Sequence, residues 1–556
     1  MRTDIYNYYI SDEQFEFVMS PMLINSSNLE NGITQLEHFV VLKEDNRLVI
    51  YDRLCDHNAG QLITKGDEIV CPMHGWRLDP RTGQYLNVQQ TKKPVYDGLI
   101  PNDGTVNLQI CKPNRILPKF EKNLDVNIRF LNHACLIIES GTTKFAIDPW
   151  LLGSAFCTGW WLEYPSPNDA ISELNKCDFI YISHNHPDHL HPETLSHVRK
   201  DITILTPKFH SGSTVNFLEK LGFNNLYPVE LGKTLVDFKS ETAFTVVKSG
   251  DFRDDSGLYF QFGKFTGLLS VDCKFIDQYR FNQEINFLAS SFASGASGFP
   301  LCFDNYTQSE KLRLLNKNRA FAKASTIKMI DHCRPNYFMP YAGFFREASY
   351  RDVQINTLNK KNSIADYLGD CDKREVELLD VLQNDFYKFE GQLCTLKRKN
   401  GRNLIEEHDT VAEITRLKES CSMVDREHWE QYFLDSEFYD NLDLELQLTD
   451  DNFNVVDTFW VQFFEDKPCE VSVKKILRRK SSRLLSIKVR REVMVSVISN
   501  GLPWEDMVIG FQCRIYRQPN IYNSKFWYHF TNIYVAERAN MSGRNCGTCE
   551  AIIQSL

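Results

Sequence analysis

"CDFIYISHNHPDHLH", residues 177–191, runs an apolar segment straight into a turn dense with histidine. "CDFIYIS", 177–183, reads as a buried strand that runs straight into the histidine cluster. His184, His186, Asp188 and His189 therefore leave the chain at one strand end, where side chains from a single turn can converge. Imidazole nitrogens and a carboxylate at that density are the donor set of a metal site. A solvated histidine-rich loop is the alternative, and it does not account for the strand before the turn.

The neighbouring segments carry the same organisation. "VNIRFLNHACLIIESGTTKFAIDPWLLG", 126–153, reads as two apolar strands joined by a Gly-containing turn and ending in Asp148-Pro149. "ETLSHVRK" and "GSTVNFLEKLGF" read as helices, and "TAFTVVKSGD" and "FTGLLSVDCK" return as strands. Strands alternating with helices predict a layered α/β domain, here spanning 124–346. Asp272, at the end of "LLSVDC", is a further candidate ligand, with an ordinary turn aspartate as the alternative. His133 and His191 are read as structural first and as contacts to metal ligands or substrate second, while His210 and His332 carry no motif.

The HxHxDH pattern resembles the metallo-β-lactamase superfamily. That resemblance implies an αββα fold in which His184 and His186 hold one metal and Asp188 and His189 a second, with Asp272 as bridging carboxylate. The family has a histidine near position 250, where this chain reads "KSGDFRDD", so Asp251 is expected to take its place as a harder, carboxylate ligand.

Before this domain lies a β-rich module, 1–115, with runs such as "LEHFVVLKEDNRLVIYD" and "DGTVNLQICK" broken by Asn, Asp and Gly turns. "CKPNRILPKFEKN", 111–123, reads as a linker. The module holds "CDHNAG" at 55–60 and "CPMHGW" at 71–76, so Cys55, His57, Cys71 and His74 come as one Cys and one His from each of two loops. A structural Cys2His2 zinc site usually groups its cysteines together. One Cys and one His per loop is the arrangement of a Rieske [2Fe-2S] centre, with two thiolates on one iron and two imidazoles on the other. The second loop, with Gly75 directly after the ligand, resembles Rieske modules of ferredoxins and oxygenases, and neither loop carries the disulfide cysteines of respiratory Rieske proteins.

Residues 347–556 read as a helical and mixed region packing on the metal domain, with "KREVELLDVLQNDFYKFEGQL", 373–393, as its clearest amphipathic helix and β-like runs such as "YDNLDLELQLTD". "KKILRRKSSRLL", 474–485, concentrates positive charge, and a nucleotide phosphate, an acidic redox partner or simple solvation would each account for it. Cys546 and Cys549 form a lone CxxC. The expected class is α+β multidomain: an all-β Rieske domain, an αββα domain and a mixed C-terminal region. A net charge of −10 argues against general attraction to nucleic acid or anionic membrane, and no window of about 18 apolar residues predicts a spanning helix. With neither that nor a secretory signal at the N-terminus, a cytoplasmic protein is expected, its 16 cysteines thiols or ligands rather than a disulfide framework.

An electron-transfer cluster gives a redox-inert zinc hydrolase nothing to do, so the second site is expected to hold iron, mononuclear or dinuclear, with zinc as the alternative. At this point the chain resembles the CMP-N-acetylneuraminate monooxygenase family across nearly its full length, notably in "IDPWLLGSAFCTGWWLEYPSP" (147–167), "CDFIYISHNHPDHL" (177–190), "FASGASGFP" (292–300), "MPYAGFF" (339–345) and "NGLPWEDMVIGFQCRIYRQPNIYNSKFWYHF" (500–530). The resemblance implies hydroxylation of the N-acetyl methyl group of a nucleotide-linked sialic acid, using O2 and electrons from a small redox protein, cytochrome b5-like or ferredoxin-like. The short Rieske loop and Asp251 depart from the family and leave room for another substrate, such as an amine or amide nitrogen. Trp160, Trp161 and "SGASGF" are candidate walls of the substrate pocket, with packing as the equal alternative. A metal-dependent hydrolase with a redox-sensing Rieske module, and an electron carrier without a second metal, are the competing functions.

Overall fold

The computed structural model describes residues 9–10, 15–36, 38–53, 62–66, 68–70, 76–86, 91–115, 118–209, 212–231, 234–249, 254–273, 284–347, 351, 353–401, 405–421, 423–479 and 481–531. Its centre is a pair of eight-stranded sheets. The first runs Leu226–Val229, Thr203–Pro207, Phe179–Tyr181, Thr143–Ile147, Cys135–Ser140, Asp125–Asn132, Asn384–Glu390 and Leu393–Lys399, parallel over its first four strands and antiparallel beyond.

Successive side chains of a strand point to opposite faces, and here both faces are covered. Ile128, Phe130, Leu136, Ile138, Phe145, Phe179 and Tyr181 enter the core between the two sheets. Their neighbours Leu131, Cys135, Ile137, Ala146, Ile180 and Ile182 turn outward, onto Ala170 and Leu174 of one short helix, Leu195 of a second and Leu218 of Ser213–Lys220. This double burial is why the strands read as continuous apolar runs.

The second sheet contains, in order, Thr234–Asp237, Thr242–Lys248, Ser256–Phe262, Phe265–Val271, Phe287–Ser291, Tyr337–Tyr341 and Glu377–Leu378, with Tyr9–Ile10 added at the Thr234 edge. The helix Gln308–Cys333 covers it, started by a capping box in which Thr307 and Glu310 satisfy each other's backbone N–H. The architecture is the expected αββα sandwich.

Two expectations fail here. Residues 373–393 do not form an amphipathic helix; they supply Glu377–Leu378 and Asn384–Glu390, and Gly391, at φ +60, turns the chain back into Leu393–Lys399. Tyr387 and Phe389 alternate into the core at a period of two, a strand signal hidden among charged residues with good helix propensity. Because Asp125–Arg129 pairs with Phe386–Glu390, the sandwich also runs past residue 346, to 399.

Beyond it, a five-stranded sheet orders Glu470–Ser472, Val455–Phe463, Leu442–Thr449, Arg483–Arg490 and Cys513–Gln518, with helices that include Arg426–Asp435, Trp504–Ile509 and Ser524–Thr531. Its core is shared with the sandwich: Trp429, Trp504 and Phe530 belong to one buried cluster with Trp150, Phe156, Trp160 and Phe345. Part of the basic run is paired within the fold, Arg479 with Asp443 and Arg483 with Asp440, and Arg490 beyond it pairs with Asp451, while Lys474, Lys475 and Arg478 are exposed.

The N-terminal module is all β. Gly32–Gln35, Phe39–Glu44, Arg47–Asp52 and Tyr96–Leu99 form one sheet, and Ile63–Lys65, Glu68–Val70 and Arg77–Leu78 another. A ribbon of Phe15–Asn25 and Thr105–Arg115 takes in the first five residues of the expected linker. No helix among the described residues is long and apolar enough to cross a membrane.

Candidate metal centre

The turn after Phe179–Tyr181 meets the ends of Asp125–Asn132, Thr143–Ile147 and Phe265–Val271 at one edge of the sandwich. Three residues there hold left-handed backbone without being glycine: His133 (φ 42), Asp148 (φ 42) and Val271 (φ 53). Each such conformation costs about 1–3 kcal/mol and persists where the surroundings impose it. At Val271 it follows a shift in strand register, and the next residue is Asp272.

Hydrogen bonds fix which ring nitrogen of each histidine faces its partner and which faces inward. The Ser183 hydroxyl donates to Asp148 Oδ2 at 2.6 Å, so its oxygen accepts from His184 Nδ1, 2.9 Å away, and leaves His184 Nε2 as a lone pair. His186 donates through Nε2 to Glu505 Oε1 at 3.2 Å, which turns Nδ1 inward. His189 donates through Nδ1 to Asp148 Oδ2 at 3.0 Å, which turns Nε2 inward.

Those inward atoms then face one another or face carboxylates. His184 Nε2 and His186 Nδ1 are 2.9 Å apart. His189 Nε2 lies 3.2 Å from Asp188 Oδ2 and 3.5 Å from Asp272 Oδ2, and His133 Nε2 lies 3.3 Å from Asp188 Oδ2. Between such opposed atoms there is room for one cation, a proton in the metal-free site or a metal ion in its place. Two donor groups result: His184, His186 and Asp272, and His133, Asp188 and His189. Buried Asp188 Oδ1, His189 Nε2 and His133 Nδ1 have no hydrogen-bond partner, a cost of about 1–3 kcal/mol each if nothing else binds them. The donors are nitrogen and oxygen throughout, a set that suits iron, manganese or zinc.

The charges respond accordingly. Burial, with the neighbouring His189 and His186, holds His184 well below the usual imidazole range. Burial would also lower His186, but the hydrogen bond and charge of Glu505 push it up to about 9. His189 is raised against its own burial by Asp188 and Asp272, and those carboxyls are in turn held well below the usual range, against burial, chiefly by His189.

The structure thus brings together His184, His186, Asp188, His189 and Asp272. Asp251 lies outside the described residues; Asp255, four positions on, is buried with Oδ1 3.8 Å from His184 Nε2. Nothing in the spacing of "KSGDFRDD" separates these aspartates. His133, read first as structural, stands among the candidate ligands, and only its place at a strand end beside Asp188 reveals this. His191 is structural: Nδ1 accepts from Thr194 N to cap a helix, and Nε2 donates to Ser154 O at 3.0 Å. Trp160 and Trp161 are packed, Trp160 stacking on Phe345 at 3.5 Å.

Cys55, His57, Cys71 and His74 lie outside the described residues, as do His210, Cys546 and Cys549. The bases of the two N-terminal loops are described. Leu62 N donates to Arg53 O at 2.7 Å, and Val70 pairs with Arg77 across the strands Glu68–Val70 and Arg77–Leu78, so backbone contacts close the base of each loop.

Residues 21–111 match the Rieske [2Fe-2S] domain, and residues 127–257 match the beta-lactamase superfamily domain. The chain joins a Rieske domain to a β-lactamase superfamily domain. Similar proteins span nearly all of it. The cytidine monophosphate-N-acetylneuraminic acid hydroxylase of Danio rerio is 27% identical, covering 90% of this chain and 91% of its own. The hydroxylase of the same name from Cricetulus griseus is 27% identical, covering 93% and 98%. Among solved structures, CmlA, a diiron beta-hydroxylase from Streptomyces venezuelae, is 18% identical with a TM-score of 0.31, over 50% of this chain and 55% of its own. An isothiocyanate hydrolase from Delia radicum gut bacteria is 11% identical with a TM-score of 0.32, over 49% and 99%.

Proposed function

We propose that the chain is a Rieske-dependent non-haem iron oxygenase that hydroxylates a nucleotide-linked sialic acid at its N-acetyl methyl group. The observation that carries this reading is the pairing, in one chain, of a Rieske domain with a buried centre of nitrogen and oxygen donors. A cluster that passes single electrons has work to do only beside a redox-active metal. Similarity to cytidine monophosphate-N-acetylneuraminic acid hydroxylases over nine-tenths of the chain supports the substrate. Electrons come from a small redox protein of the cytochrome b5 or ferredoxin kind, in the cytoplasm.

Cys55, His57, Cys71 and His74 would hold the cluster. His184, His186, Asp188, His189, Asp272 and His133 would hold iron, with Asp251 or Asp255 completing the set. When bound, iron there supplies the activation of O2 and the oxidation of the substrate C–H bond. The chain's own residues set the conditions. Ser183, Asp148 and Glu505 each take a proton-bearing ring nitrogen and aim the other inward. Phe156, Trp160 and Phe345 pack around His186 and His133 and keep water from that side. The Asp272 side chain, 26% exposed, marks the side from which small molecules can reach the centre.

The test is iron-loaded protein with CMP-N-acetylneuraminate, a reducing system and isotope-labelled O2. The expected result is one labelled oxygen atom in the sugar's acyl group, dependent on reductant. Turnover of a phosphodiester or lactone without reductant, by protein that retains zinc, would sink the proposal in favour of a hydrolase. Labelled oxygen appearing only in an amine or amide substrate would keep the oxygenase and replace the sugar.

A further inference from the structure

One contact of the metal centre comes from outside the sandwich. The helix Trp504–Ile509 belongs to the C-terminal region, and its Glu505 receives the Nε2–H of His186, 319 positions away in the chain. We propose that Glu505 is a positioning residue of the metal centre: by taking that proton it fixes His186 in the tautomer whose Nδ1 faces His184, so that metal retention depends on the docking of the C-terminal region. This rests on the reading of His184 and His186 as metal ligands.

The three ring partners divide by origin. Ser183 and Asp148 lie on the sandwich beside the ligands they orient, and a β-lactamase-type core supplies them by itself. His186 alone among these three takes its acceptor from the C-terminal region. A ligating imidazole whose second nitrogen lacks an acceptor is free to present either atom, and loss of such a partner typically lowers metal affinity.

The helix is placed with little freedom. A Cβ on Gly159 would stand 2.0 Å from Gly510 O, and one on Gly298 would stand 2.1 Å from Val508 O, so backbone meets backbone at both sides of the segment. Trp160 donates through Nε1 to Ile509 O at 2.9 Å. Trp504, fully buried, donates to the Tyr432 hydroxyl and locks the start of the helix into the C-terminal core. Phe156, from the turn held against Gly510, lies 5.8 Å from the His186 ring. The same packing that seats the helix therefore also seats the imidazole. These contacts give a reason for the glycines of "AFCTGWW", "SGASGFP" and "MVIGF": they admit the carboxylate to the centre.

The test uses the full chain with its Rieske cluster intact and the second-domain metal stripped by a chelator, then titrated anaerobically with Fe(II) while bound iron is counted. Wild type should take up iron beyond that of the cluster. Glu505→Ala should weaken uptake by about 10–100-fold with the electron paramagnetic resonance signal of the reduced cluster unchanged. Glu505→Gln, whose amide oxygen can still accept from Nε2–H, should recover most of the affinity. Glu505→Asp, one carbon shorter with its charge kept, should fall between them and carries the test if the alanine variant does not fold. Wild-type affinity in a folded alanine variant overturns the proposal, as does a glutamine variant as weak as alanine. A wild type that binds no iron beyond the cluster overturns the metal-centre reading itself, and this inference with it.

Discussion

Asp148 Oδ2 lies 3.0 Å from His189 Nδ1, with both side chains fully buried, and the same carboxylate takes the hydroxyl and backbone N–H of Ser183. One aspartate thus orients His189 directly and His184 through Ser183. Asp148→Asn keeps the shape, but its amide nitrogen can donate where the carboxylate only accepted. Second-domain iron affinity should fall by about 10–100-fold, measured by anaerobic Fe(II) titration, with the cluster signal retained.

His133 and His191 both flank the centre, yet they should behave in opposite ways. His133→Ala should cost part of the second-domain iron, that held with Asp188 and His189, because His133 Nε2 is 3.3 Å from Asp188 Oδ2. His191→Ala should leave iron content unchanged and lower unfolding free energy by about 1–2 kcal/mol, since it removes a helix cap. Iron analysis beside urea melts of the two variants separates the roles.

The glycine contact between the two cores gives a third expectation. Gly159→Ala would drive its methyl into Gly510 O at 2.0 Å, against backbone that cannot rotate aside. Overpacking of this kind typically costs about 1–3 kcal/mol. Denaturant titration should show that loss, accompanied by weaker iron retention, because the helix bearing Glu505 must move.

Away from the metal, Lys144 Nζ and Glu173 Oε2 form a half-buried ion pair at 2.7 Å that ties a helix to the first sheet. Hydrogen bonds from Lys144 and then Lys176 hold the Glu173 carboxyl below its usual range. The stabilisation is present above the unfolded-state value of about 4.3 and is lost as pH falls below it. The stability gap between wild type and Glu173→Gln, about 0.5–1 kcal/mol at neutral pH, should close as pH falls below about 4.3 in urea melts.

Local chemistry determined much of this protein within single segments. Phe179–Ile182 is apolar on both faces because it lies between helices and a second sheet, and so a buried strand ending in HxHxDH was legible without coordinates. The N-terminal cysteine and histidine pairs, one of each per loop with Gly75 after the second, pointed to a Rieske centre, and residues 21–111 match the Rieske domain.

Tertiary structure decided what depends on residues distant in the chain. Residues 384–399 became strands because Phe386–Glu390 had an open edge at Asp125–Arg129 to pair with, an edge that outweighed helix propensity. His133 joined the metal set because its strand end packs beside Asp188, and Glu505 reached His186 because the C-terminal region meets the sandwich through backbone contacts that no periodicity encodes. A ligand motif specifies which atoms are able to bind a metal. Which ring nitrogen is left bare for it depends on partners that folding alone brings within hydrogen-bond reach.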